Sequence, residues 1–344
     1  MSIAELISAV AHRIAFVAER DVKFIGHILV APGSTFSLPA VASALMLAAA
    51  MVGLRRRPGK RWPRWRVWLR ALFPWRLFRS ASTRADVGFF LLNTVAGAGG
   101  VAGAILAASQ VGGWVQRGLI HALGASPELA LPGPATAVIA TAALFLAYEI
   151  AYWIDHWISH KVPFFWAFHK VHHTAEVLTP LTNFRVHPIE SLKFANIGAL
   201  IVGSVGGGLG WLFGGGEHQY LINGANLVTV VFLFTLTHLQ HSHFWIAATG
   251  VWGRILMSPA HHQIHHSDNP AHFDRNFGSS LAVWDWLAGT LYIPTNRRER
   301  LTFGLGATIE RPQSVTGALI TPFIEAIKTF RPRASRGGVI LPAE

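Results

Sequence analysis

The 344-residue chain contains no cysteine. That absence excludes internal disulfides, cysteine-ligated iron–sulfur clusters and thiolate metal sites, so nitrogen and oxygen must hold any metal. Charge is also scarce. Asp, Glu, Lys and Arg together make up 13% of the residues, against 51% hydrophobic, and the mean hydropathy is +0.38. A soluble domain carries about 25% charged residues, so the composition points to a membrane protein. There is no dinucleotide fingerprint, no cytochrome-like haem motif and no H-E-x-x-H helix. The first thirty residues lack the compact apolar core and small-residue cleavage site of a signal peptide.

What is present begins with long uncharged runs: Phe24 to Leu54, Val87 to Gln116, Leu129 to Tyr148, Phe194 to Gly216 and Gln219 to Gly253. Each can hold a helix that crosses about 30 Å of hydrocarbon. The sequence therefore predicts an all-α integral membrane fold with about five transmembrane helices, near 36–53, 87–109, 135–155, 194–213 and 219–238. Two glycine runs, "NTVAGAGGVAGA" and "GSVGGGLGWLFGGG", lie inside spans, where small residues let helices pack closely. The expected organisation is a segment 1–85 with the first span and a basic loop, a core domain 86–295 and a basic tail 296–344.

The net charge of +12 is concentrated in the loop from Arg55 to Arg84 and in the tail after Arg297. By the positive-inside rule both face the cytoplasm, as in a bacterial inner membrane. "RWPRWRVWLRALFPW" mixes Trp62, Trp65 and Trp68 with arginines, the pattern of an amphipathic helix lying on an anionic leaflet, and nucleic acid is not expected as a partner.

This topology gathers the 18 histidines. Counting spans outward from the arginine loop brings the ends of spans three and five to the cytoplasmic side. His156, His160, His169, His172, His173 and His187 follow the third span; His238, His241, His243, His261, His262, His265 and His266 follow the fifth. "DHWISH" sets His156 and His160 at i, i+4, on one helical face. "HKVHH" and "HQIHH" each set three histidines at i, i+3, i+4. Eight such imidazoles exceed the ligand shell of one ion, so the pattern predicts two metal ions; imidazole suits iron and zinc alike.

These boxes, H-x-x-x-H at His156–His160 and H-x-x-H-H at His169–His173 and at His262–His266, resemble those of the fatty acid hydroxylase and sterol desaturase superfamily of membrane di-iron oxygenases. "NFRVHPIE" (183–190), "QHSH" (240–243) and "DRNFGSSLAVWDWLAGTLY" (274–292) are similar to further segments of that superfamily, and the resemblance covers about residues 140–295. It implies two iron ions that activate O2 with electrons from a separate electron-transfer protein and reductase. The implied reaction hydroxylates or desaturates an unactivated C–H bond of a lipid, sterol-like or fatty acyl, drawn from the bilayer.

The expected ligands are His156, His160, His169, His172, His173, His262, His265 and His266, with His241 ranked first among His238, His241 and His243. For His187, ligation and support of a ligand weigh equally. His261 should miss the metals, because adjacent helical residues point about 100° apart. Ligating imidazoles usually give their other N–H to an acid or a carbonyl, which makes Asp155, Asp274, Glu190, Asp268 and Asp285 candidates, with Asp155 and Asp274 favoured by position in the resemblance. Glu149 lies at membrane depth two turns before His156, where an ionisable group suggests function, such as lining a substrate cleft. A His-rich metal transporter and a zinc-dependent membrane hydrolase are the alternative readings. A transporter would place ligands in mid-span and at the outer face, and a hydrolase would show glutamate beside a ligand pair.

Overall fold

The computed structural model describes residues 5, 19, 22, 23, 25–34, 37–54, 64–98, 105–215, 218–305 and 313–330. Among these the secondary structure is helical apart from one small hairpin. In chain order the helices are α1 (Leu38–Leu54), α2 (Trp65–Leu72), α3 (Trp75–Phe78), α4 (Ala81–Ala98), α5 (Ala108–Leu123), α6 (Gly133–Lys161), α7 (Pro163–His173), α8 (Pro188–Leu212), α9 (Leu227–Phe232), α10 (His238–Gln240), α11 (Gly250–Ile255), α12 (Pro259–His265), α13 (Val283–Ala288) and α14 (Val315–Thr329).

α6 and α8 are long and apolar enough to cross a membrane; α1 and the stretch Leu227–Gln240 are shorter apolar helices. α6 has 29 residues and is therefore about 43 Å long, more than the ~30 Å of a hydrocarbon core. Its surplus turns at the C-terminal end carry Asp155, His156, Ser159 and His160. The helix stops at Val162 because Pro163 disfavours helical backbone in the preceding residue; Val162 is extended, with φ −100 and ψ 112. Pro163 then opens α7 as its first residue, and the sharp bend turns the histidines of α7 back onto those of α6.

Two of the expected spans are drawn differently. The run read as one span over 87–109 is interrupted: residues 105–107 are not helical, and a separate helix, α5, begins at Ala108. α5 packs along α8 through small residues: a Cβ on Gly203 would fall 2.5 Å from the Ala108 carbonyl oxygen, so only glycine allows this approach. This is the close packing expected of the second glycine run; much of the first lies outside the described residues. The span expected over 219–238 starts later. Residues 221–226 form an antiparallel hairpin, β1 (Leu221–Ile222) and β2 (Ala225–Asn226), turned by Asn223 and Gly224 at φ +48 and +80, the Asn-Gly signature of a tight hairpin. Helix then runs from Leu227, through a π-helical turn at Leu233–Thr237, to Gln240.

α4 crosses position 85, and its Asp86 forms a fully buried ion pair with Arg185 (Nε–Oδ1 2.7 Å). The Arg185 guanidinium also donates to Thr174 Oγ1 and Gln313 Oε1, both at 3.0 Å, tying α4, the end of α7 and the approach to α14 together. α14 lies against α7, with Phe323 edge-on to Phe168 at 5.3 Å.

Candidate metal centre

Four elements deliver nine histidines to one buried volume. His156 and His160 come from the end of α6, His169 and His173 from α7 and His265 from α12; these five form one group. His172 of α7, His241 just after α10, and His262 and His266 at α12 form a second group of four. Within each group the candidate ligand atoms lie within 4.8 Å of one another. Each H-x-x-H-H box is shared: His169 and His173 serve the first group and His172 the second, whereas His262 and His266 serve the second and His265 the first. The adjacent pairs split because neighbouring helical side chains diverge by about 100°. The groups abut where His173 and His266 stack, ring centroids 4.6 Å apart.

In the first group the outer ring nitrogens of His156, His265 and His169 are held by acceptors, and that of His160 faces a carboxylate. Nδ1 of His156 lies 2.8 Å from the Phe277 carbonyl oxygen and Nδ1 of His265 lies 2.7 Å from that of Arg275. Nδ1 of His169 meets a Glu190 carboxylate oxygen. Nδ1 of His160 is 3.6 Å from Asp274, whose other oxygen binds Lys161 at 2.5 Å. Donation outward from Nδ1 fixes the tautomer that leaves Nε2 a lone pair facing inward.

The loop that supplies the two carbonyls is shaped by Asp274 and Asn276, both left-handed at φ +58 and +59; Asp and Asn tolerate that conformation better than other side chains. Asn276 is fully buried, donating to the His261 and Tyr292 carbonyls and accepting from the Tyr292 N–H. Asp285 accepts from the backbone N–H groups of Phe277 (2.9 Å) and Gly278 (2.8 Å), so it supports the carbonyl that His156 uses.

In the second group four Nε2 atoms face one another. His241 lies 3.2 Å from His172 and 3.0 Å from both His262 and His266, and His262 lies 3.2 Å from His266. Ligand nitrogens about 2 Å from a shared ion sit roughly 3–3.5 Å apart, which matches this spacing. In the first group Nε2 of His156, His160 and His265 is buried with no hydrogen-bond partner. Burial holds the imidazoles neutral: His169 and His172 are lowered to about 3, and His173, His241, His262, His265 and His266 well below their ordinary value. Asp274 is held down at about 2 by His160 and Lys161 and remains a carboxylate. Neutral, converging, unpartnered imidazoles fit a metal centre with an all-nitrogen ligand set.

The remaining expected residues take other places. His187 caps α8, its Nδ1 accepting from the Ile189 N–H, and its Nε2 donates to the Leu319 carbonyl. His238 is buried outside both groups, at an apolar cleft. His243 donates to the Ala71 carbonyl at 2.7 Å. His261 bonds Ser258 Oγ (2.7 Å) and the Gly253 carbonyl (3.0 Å), away from the clusters.

The carboxylates differ more from expectation. Asp155 turns to Lys193 (3.0 Å) rather than to an imidazole, because the Lys193 ammonium enters from α8 on the same side. Glu149, expected at a substrate cleft, instead accepts the backbone N–H groups of Ser280 and Leu281 at 2.9 and 2.8 Å and pins their loop against α6. Asp268 bonds Thr302 at the surface. The carbonyls of Arg275 and Phe277 are backbone atoms that carry no side-chain signal in the sequence. A cavity of about 710 Å³ opens against His160, His173, His265 and His266, with Trp166 and Asp274 on its walls.

Residues 141–290 match the family described as Fatty acid hydroxylase, and all nine clustered histidines lie within that range. An ornithine lipid hydroxylase of Rhizobium tropici is 30% identical over 129 residues, covering 38% of this chain and 34% of that protein. Alkylglycerol monooxygenases of Xenopus tropicalis and Danio rerio are 27% and 26% identical, each over 47% of this chain and 32% of the relative. The chain thus spans about a third of the length of these curated relatives. No solved structure matches. Residues 141–290, with their two interlocked histidine groups, are thus similar to the Fatty acid hydroxylase family, and these relatives support the resemblance to the fatty acid hydroxylase and sterol desaturase superfamily.

Proposed function

We propose that the protein is a membrane lipid hydroxylase that inserts one oxygen atom of O2 into an unactivated C–H bond of a long-chain amphiphile. The observation that carries this reading is the pair of adjoining imidazole groups, five and four histidines, inside the fatty acid hydroxylase region. The first group would hold one iron and the second another. Bound iron would supply O2 activation. The balance is one substrate C–H bond, one O2, two electrons and two protons giving one alcohol and one water. Cysteine-free and without a dinucleotide fingerprint, the chain takes its electrons from a separate carrier and reductase.

The chain's own residues have definable tasks. Glu190, Asp274 and the carbonyls of Arg275 and Phe277 orient the first group, and burial keeps the imidazoles of α7 and α12 neutral. Hydroxylation is preferred over desaturation because the matched relatives are a hydroxylase and monooxygenases by name. Their names, an ornithine lipid and an alkylglycerol, share a long chain on a polar head, and that is the substrate class proposed here. Residence in a bacterial inner membrane, with the histidines on the cytoplasmic side and α6 and α8 among the spans, is part of the same proposal.

The test is metal content and oxygen uptake of protein purified anaerobically and iron-replete, beside a His172→Ala, His265→Ala double variant that removes one imidazole from each group. Two irons per chain, lost in the variant, together with one heavy oxygen atom in a lipid alcohol formed under isotopically labelled O2, are the expected results. Absence of tightly bound metal would overturn the proposal and favour a transporter.

A further inference from the structure

A second cavity lies apart from the polar one. It is a cleft of about 210 Å³ whose walls include Leu45 of α1, Leu72 of α2, Leu77 of α3, Leu178, His238 and Phe244. Apart from His238 these are apolar side chains. Three of the six lie outside residues 141–290, so the family region alone does not build this cleft.

Its surroundings indicate what enters. α2 and α3 expose Trp65 and Trp75, 66% and 68% accessible, with Arg66 over the first ring at 5.4 Å and Arg79 over the second at 4.9 Å. Aromatic rings capped by arginines belong at the headgroup level of an anionic leaflet. On the other side α1 is an apolar helix with Met46 and Leu47 exposed. The cleft therefore opens between an element suited to the bilayer surface and one suited to its interior. His238 and Ser242, which lie three residues before and one after His241 of the second histidine group, are also on its walls. His243 holds the α2 wall in place by donating to the Ala71 carbonyl.

We infer that this cleft receives the hydrocarbon chain of the lipid substrate and that α1, α2 and α3 set the preferred chain length. The inference rests on the lipid-hydroxylase reading for the word substrate, but chain binding itself needs neither iron nor oxygen. A chain drawn from the bilayer is already out of water, so discrimination comes from packing: each methylene seated against the walls gains contacts until the cleft is full.

The experiment uses the full-length protein in lipid nanodiscs and a long-chain fatty acid bearing a mid-chain diazirine as probe. After photolysis, peptide mapping locates the label. The expected result is label on Leu45, Leu72, Leu77 or Phe244, displaced by long unlabelled fatty acids and not by short ones. Leu45→Trp and, from the opposite wall, Leu77→Trp should each lower labelling on the order of tenfold by filling the cleft, with metal content unchanged as the test of folding. Label confined to Met46, Leu47 and other lipid-facing positions, or insensitive to both tryptophans, would overturn the inference. So would cross-linking that shows residues 1–30 of the chain filling the cleft. Length-selective labelling without oxygen uptake would support the cleft as a chain site and overturn the hydroxylase reading alone.

Discussion

The Glu190 carboxylate, at the start of α8, accepts from Nδ1 of His169, in the middle of α7. This bond joins a helix long enough to span a membrane to the box that feeds both histidine groups. A carboxylate behind a ligating imidazole fixes its tautomer and raises its basicity, and its loss typically weakens metal binding 10- to 100-fold. Glu190→Ala should therefore lower iron affinity by about that factor, and Glu190→Gln, which still accepts from Nδ1–H, by less. Metal titration of the two variants checks this; equal affinity in Glu190→Ala and the unaltered protein would remove the carboxylate from the centre.

The depressed histidines make the metal-free protein sensitive to acid. An imidazole held near 3 when folded and near 6.5 when unfolded takes up protons only on unfolding between those values, so stability is full above pH 6.5 and falls as pH drops below it. Each such group contributes up to about 1.4 kcal/mol per pH unit in that window. Unfolding temperature of the metal-free protein should be flat from pH 8 to about 7 and decline steeply below about 6.5. A flat profile down to pH 5 would contradict the neutral, desolvated imidazoles.

How far the sequence discloses this centre depends on the distance over which each contact acts. Apart from His241, the histidines that converge stand at i, i+3 and i+4 in or at the end of helices, and prolines at 163 and 259 mark where α7 and α12 begin, so their grouping follows from local periodicity. The partition of adjacent pairs, His172 from His173 and His265 from His266, needs two facing helices and cannot be seen in either alone. The carbonyls of Arg275 and Phe277 are backbone atoms whose direction depends on two left-handed residues, which composition does not reveal. Asn223–Gly224 is a legible hairpin signal masked by apolar neighbours, whereas the non-helical stretch before α5 is hidden because Ile105, Leu106 and Ala107 keep the hydropathy high.

Arg185 and Asp86 are both fully buried, and the guanidinium has further partners in Ser82, Thr174 and Gln313. Removing one partner leaves an uncompensated charge in the interior, at a cost of about 3–5 kcal/mol. Asp86→Ala and Arg185→Ala should each destabilise by that order, while Asp86→Leu combined with Arg185→Met should recover part of the loss. Unfolding in detergent of the single and double variants measures it, and additive losses would argue against a coupled pair.

Glu149 offers a similar contrast without an ion pair. One oxygen accepts from both Ser280 and Leu281, so Glu149→Gln, whose amide oxygen can do the same, should be tolerated. Glu149→Leu strands two buried N–H groups, each costing about 1–3 kcal/mol, and frees the loop that presents Phe277 to His156. Loss of stability in the leucine variant with the glutamine variant near the unaltered protein is the expected pattern; comparable losses in both would instead require the charge.

His261 and His262 are neighbours in α12 with opposite fates, and substituting each tests the geometry directly. His262 points into the second group, Nε2 3.0 Å from that of His241, whereas His261 faces Ser258 and the Gly253 carbonyl. His262→Ala should empty or weaken the second site while leaving the fold nearly intact, because a metal-binding imidazole lost from a cluster removes repulsion as well as ligation in the metal-free state. His261→Ala should do the reverse: metal content is retained, but stability drops by about 1–3 kcal/mol as a buried carbonyl loses its donor. Iron per chain and unfolding temperature, measured together on the two variants, separate the cases, and loss of metal in His261→Ala without loss of stability would mean that α12 is rotated from the orientation described.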